Sequence, residues 1–145
     1  ISERFLSGAS MRRLLVLVLT EAVAGALAQA AGLVVEIRRV AEALEQAGRP
    51  QDALAALAEP MRLYPRDGKL RTLQARNYAA VGKRLLQHQA QAELYVLRGS
   101  LPAAIEQLQL AQAAGDGNFY ELSVVEARLK ELRALHAQEL RDLKK

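Results

Sequence analysis

The sequence predicts an all-α fold built as an array of antiparallel helical hairpins, closed by a long C-terminal capping helix. Two observations lead there. Ala, Leu, Gln, Glu and Arg dominate the 145 residues, and these are strong helix formers, while aromatics make up only 4% and Trp is absent. The residues that end helices also recur at nearly even steps. Gly32, Gly48, Pro65, Gly82, Gly99 and Gly115 are separated by 16, 17, 17, 17 and 16 residues. Glycine accepts the left-handed backbone that closes a helix, and proline stops a helix because it has no N–H.

Two of these steps make about 34 residues, the period of a tetratricopeptide (TPR) helical hairpin. The punctuation predicts seven helices, at about 10–31, 33–47, 50–64, 67–81, 84–98, 101–114 and 118–143. Each carries an apolar stripe at three- and four-residue steps. In the second helix the stripe is Val34, Ile37, Val40, Ala41 and Leu44. In the third it is Ala53, Leu54, Leu57, Met61 and Tyr64, and in the fourth Leu70, Leu73, Asn77, Tyr78 and Val81. Leu94, Tyr95 and Leu97 mark the fifth, and Ala104, Ile105, Leu108 and Ala111 the sixth. Pro50 and Pro102 fall early in their helices, where a missing N–H costs little. Asp52 suits the positive end of its helix dipole, and Asn118 is the expected N-cap of the last helix.

The hairpin frame is sharper still. Gly48, Ala53, Leu57 and Pro65 place a turn, a small residue at the helix crossing, a bulky apolar residue and a stop in order. Gly99, Ala104, Leu108 and Ala111 repeat the frame 51 residues on, which is three helices rather than two. Gly82 keeps the spacing, but Gln87 stands where the small residue belongs. The expected array therefore contains a helix that breaks strict alternation.

The two ends differ from the middle. Residues 11–32 are apolar on nearly all sides and include Arg12 and Arg13 at their start. Alone they resemble a signal peptide or a marginal membrane span, but Glu21 in the middle argues against both. The expectation is a helix buried on several sides and packed on the array, or one that pairs with a second copy if its neighbour is missing. The chain begins with Ile, as a fragment or processed product would. Domain organisation is then an apolar helix over 1–32 and a single repeat domain over 33–145. In the last helix Leu122, Val125, Leu129, Leu132, Leu140 and Leu143 form one seam to dock, among balanced charges.

Catalytic constellations are absent from the sequence. There is no HExxH, P-loop, GxSxG or glycine-rich dinucleotide turn, and no cysteine. His136 and Glu139 lie one helical turn apart, a spacing too common by chance to mark a metal site. Neither a catalytic residue nor a cofactor is expected in this chain. Charge is more informative. Arg62, Arg66, Lys69, Arg71, Arg76, Lys83 and Arg84 cluster around a single acid, Asp67. In the TPR frame Lys69, Thr72, Arg76 and Ala79 face the concave groove, which could grip an acidic peptide or a carboxylate. The competing reading is a solvated basic face. Few aromatics and a net charge of only +4 argue against nucleic acid.

Three segments carry a family resemblance. "RNYAAVGKR" (76–84), "AELYVLRGSLPAAIEQLQLA" (92–111) and "FYELSVVEARLKELR" (119–133) together resemble the C-terminal TPR region of periplasmic zinc metallopeptidases, the β-barrel assembly-enhancing proteases of Gram-negative bacteria. The resemblance runs from about 33 to 140 and fails before 33. It implies a periplasmic interaction domain that contacts outer-membrane barrel substrates or their assembly machinery. Zinc and the HExxH motif would belong to a protease domain outside this sequence. A stand-alone TPR scaffold and a small all-α metal protein are the alternative readings, and the residues alone leave a cytoplasmic location open.

Overall fold

A computed structural model describes residues 8–145. Among the described residues six helices succeed one another: α1 (Gly8–Gln46), α2 (Pro50–Leu63), α3 (Gly68–Ala80), α4 (Arg84–Leu97), α5 (Leu101–Ala113) and α6 (Phe119–Asp142). No strand occurs among the described residues. The contacts divide the chain into two units, Ile1–Glu36 and Ile37–Lys145.

The expected helix end at Gly32 is corrected: α1 runs through it without a break. Gly32 does not take positive φ, whereas Gly48, Gly82, Gly99 and Gly115 do, at 69°, 77°, 75° and 77°. The neighbouring residues explain the difference. Gly48 leads into Arg49-Pro50, but Gly32 leads into Leu33-Val34-Val35, with no cap and no proline. An internal glycine costs about 1 kcal/mol relative to alanine, too little to end a helix that continues on both sides.

Three of the remaining turns share one geometry. The residue after each glycine reaches back to a carbonyl five residues earlier: Arg49 N–H to Leu44 at 2.9 Å, Lys83 N–H to Tyr78 at 3.0 Å, and Ser100 N–H to Tyr95 at 2.9 Å. The glycine N–H itself donates three residues back, to Glu45, Ala79 and Val96. This paired pattern is the Schellman motif, which satisfies helix-end carbonyls and needs the left-handed residue. The next helix then starts two residues past each glycine. The fifth residue past it donates the opening helical bond, Ala53 to Arg49, Gln87 to Lys83 and Ala104 to Ser100. Ala53 and Ala104 are fully buried, while Gln87 is half-buried.

In the second unit each helix packs on its neighbour in sequence, α2 on α3, α3 on α4, α4 on α5 and α5 on α6, with a lighter contact of α4 with α6. One continuous core joins the last three helices. It comprises Leu85 and Ala92 of α4, Leu101, Ala104, Leu108 and Ala111 of α5, and Val125, Leu129 and Leu132 of α6. Leu57, Met61, Leu70 and Leu73 are large apolar side chains buried in α2 and α3, and the polar Asn77 of α3 is buried as well. Asn118 caps α6 in a reciprocal box with Glu121: Glu121 N–H donates to Asn118 Oδ1 at 2.8 Å, and Asn118 N–H to Glu121 Oε2 at 3.0 Å.

The docked seam of α6 ends sooner than expected. Val125, Leu129 and Leu132 are buried, but Leu140 and Leu143 are 47% and 83% exposed. Helix length explains this. At 1.5 Å per residue the 24 residues of α6 run well past the 13 of α5 against which it packs.

In the first unit the described side chains from Ser10 to Ala26 are exposed; the sequence offered either burial on several sides or pairing with a second copy. From Ser10 onward α1 is long and apolar enough to cross a membrane, by length and composition alone.

Candidate functional site

The seven basic residues singled out in the sequence do not form one surface. Arg62 turns along its own helix and meets Glu59, with Nε at 3.0 Å from Oε2. That guanidinium holds the Glu59 carboxyl below its ordinary value. Arg71 folds inward. Its Nη2 donates to the Pro65 carbonyl at 2.9 Å and its Nη1 to Gln74 Oε1 at 3.2 Å. Burial pushes its pKa below the ordinary arginine value, against the pull of Glu93.

Arg76, expected to face the groove, is instead tied to Glu45 of α1. Nε donates to Oε1 at 2.8 Å and Nη2 to Oε2, a two-pronged grip that links α1 to α3. The Glu45 carboxylate offsets the Arg76 charge, so an anionic ligand there would compete with it. Arg66, Lys83 and Arg84 are exposed. One groove in the second unit is lined, of the seven, by Lys69 alone.

That groove measures about 510 Å³ and lies where the start of α3 meets the end of α4. Gly68, Lys69 and Thr72 form one side, with Asp67 just before them. Leu94, Leu97 and Arg98 form the other, and Arg38 of α1 completes it. The two sides approach closely, since a Cβ placed on Gly68 would lie 3.8 Å from Leu94 Cδ2. Among the described residues Arg38, Lys69 and Arg98 make no ion pair.

The one acid there is already engaged. Asp67 Oδ1 accepts from the Lys69 and Leu70 N–H groups, both at 3.0 Å, and so caps α3. Thr72 donates its hydroxyl to the Gly68 carbonyl at 2.8 Å, leaving oxygen lone pairs but no donor. The groove thus presents three free cations beside two half-buried leucines.

Of the lining residues, Lys69 and Thr72 were expected at a groove from the sequence, and Arg38 and Arg98 were not. The missing signal was topological. A hairpin brings the start of α3 and the end of α4 to the same end, so the residue before the Gly99 turn, Arg98, belongs beside Lys69.

A smaller polar cleft of about 190 Å³ is lined by Arg71, Gln74, Tyr78, Gln89 and Glu93 among others. Arg71 Nε is buried there without a partner. Burial raises the Tyr78 hydroxyl pKa. His88 Nδ1 pairs with Gln107 Oε1 at 2.9 Å. His136 Nδ1 stands 3.7 Å from Glu139 Oε2. Among the described residues no three His, Cys, Asp or Glu side chains gather as metal ligands would.

No family model matches the chain, and no curated protein matches it significantly.

Proposed function

We propose that this chain is a non-catalytic protein-interaction domain of TPR-like architecture. It works beside a periplasmic zinc metalloprotease in the assembly or quality control of outer-membrane proteins. The observation that carries the reading is the repeated turn. Three glycine turns with the same hydrogen bonds, two of them followed by a fully buried alanine, are what stacked hairpins of one repeat type require. The resemblance of residues 76–84, 92–111 and 119–133 supplies the protease context.

In this reading the groove at α3 and α4 is the binding surface. Its charge favours an acidic partner, and its leucines supply apolar area. Proteolysis belongs to a zinc domain with its own HExxH motif, which this sequence lacks.

Dilution of a denaturant-unfolded outer-membrane barrel protein into the pure chain tests the reading. A complex should form on size-exclusion chromatography, and the barrel protein should stay intact. Failure to form a complex contradicts the interaction role, and chelator-sensitive cleavage contradicts the non-catalytic one.

A further inference from the structure

Building on the interaction-domain reading, we infer that the groove takes an extended internal segment of a partner protein, in which a carboxylate side chain neighbours an aliphatic one. Arg38, Lys69 and Arg98 surround the groove with three cations that no acid of the second unit neutralises by an ion pair. A carboxylate entering it gains charge-assisted hydrogen bonds without first breaking internal ones. The contrast with Arg76 is direct, since that residue would have to leave Glu45.

The aliphatic requirement comes from α4. Leu94 and Leu97 are three apart on one helix face and only half-buried, so apolar area remains for a ligand to cover. No Phe, Trp or Tyr lines the groove. Nucleotide bases would have no stacking platform there.

The choice of an internal acidic residue over a chain terminus rests on the α3 cap. Helix starts hold terminal carboxylates and phosphates through free backbone N–H groups. At α3 the Lys69 and Leu70 N–H groups are already taken by Asp67. The Asp67 charge also repels a second carboxylate at that point. The anion must then be held by side chains alone, which suits a flexible Glu or Asp on a segment passing through an open groove.

The test is fluorescence anisotropy of a labelled peptide with Glu-Leu pairs, acetylated and amidated, titrated with the whole chain. Binding should be saturable and should weaken as salt rises. Arg98→Gln should weaken it about five- to tenfold, with a further loss on adding Lys69→Gln. Arg66→Gln, an exposed change outside the groove, should leave it unaltered. A Gln-for-Glu peptide should not bind, and a Ser-for-Leu peptide should bind more weakly. Circular dichroism of each variant establishes that it is folded.

Equal binding of the Gln-for-Glu peptide, equal binding by the folded groove variants, or binding only by a peptide with a free C-terminus would overturn the inference. A chain that binds the unfolded barrel protein but not the capped peptide loses this ligand class and keeps its interaction role. A chain that binds neither loses both.

Discussion

Arg128 of α6 holds Glu93 of α4 by two parallel hydrogen bonds, Nε to Oε1 at 2.7 Å and Nη2 to Oε2 at 2.8 Å. Its Nη1 donates to Glu131 at 2.8 Å. The carboxylates, Glu93 first, hold the guanidinium pKa above its ordinary value. The side chains of the α4–α6 pair are only 26% and 24% exposed, so solvent screens it less than the surface pairs at Arg49 and Arg62. A double-mutant cycle with Arg128→Met and Glu93→Gln should give a coupling of about 1–2 kcal/mol in chemical denaturation. A coupling near zero would mean that the pair does not fasten α6 to the array.

Asp116 supplies the cap that Lys83, at the start of α4, does not. Its carboxylate accepts from the Leu85 N–H at 3.0 Å and from the Arg84 N–H, 31 and 32 residues back in the chain. These bonds, Leu85 first, lower its pKa in the folded state. A lowered carboxyl pKa adds stability above the unfolded value of about 3.9, and that stability fades as pH falls through the folded value. Asp116→Asn should therefore lower the melting temperature at neutral pH. The gap from wild type should close as both are taken below about pH 4. A gap independent of pH would contradict the charged cap.

Gly117 sits against Leu85 in the same loop. A Cβ there would lie 2.2 Å from Leu85 Cδ1 and 3.3 Å from Cγ. Leu85 is 1% exposed and belongs to the core, so it has little room to move. Gly117→Ala should cost about 1–3 kcal/mol by overpacking. Urea unfolding of the variant checks this, and an unchanged midpoint would refute the close approach.

Ala104 is fully buried at the first turn of α5. Ala104→Leu should likewise cost about 1–3 kcal/mol. At Gln87, the equivalent position after the Gly82 turn, a leucine should be tolerated because that side chain is only half-buried. Equal melting temperatures for Ala104→Leu and wild type would contradict the tight crossing.

The legible part of the fold was its punctuation. Gly48, Gly82 and Gly99 need a left-handed backbone, and each stood before residues that start a new helix. Gly32 misled because its spacing fitted the series while its neighbours did not. In α4 the expected stripe of Leu94, Tyr95 and Leu97 is half-buried, and the buried residues are Leu85, Ala90 and Ala92. That helix packs on both α3 and α5, so burial falls on two faces and no single stripe records it. The groove was half legible. Lys69 and Thr72 come from the repeat frame. The withdrawal of Arg76 depends on Glu45, which is 31 residues away, and no local pattern encodes that pairing.

On the proposed reading Lys69 and Arg98, not the whole basic cluster, hold the partner. The direct measurement is the affinity of the unfolded barrel protein for wild type, for Lys69→Ala plus Arg98→Ala, and for Arg76→Ala. The double variant should bind at least about tenfold more weakly while keeping its helicity. Arg76→Ala should destabilise the fold by about 1 kcal/mol, since Glu45 is largely shielded while Arg76 is half-exposed, and should bind as wild type does. Unchanged affinity in the folded double variant, or an equal loss in Arg76→Ala, would contradict the claim.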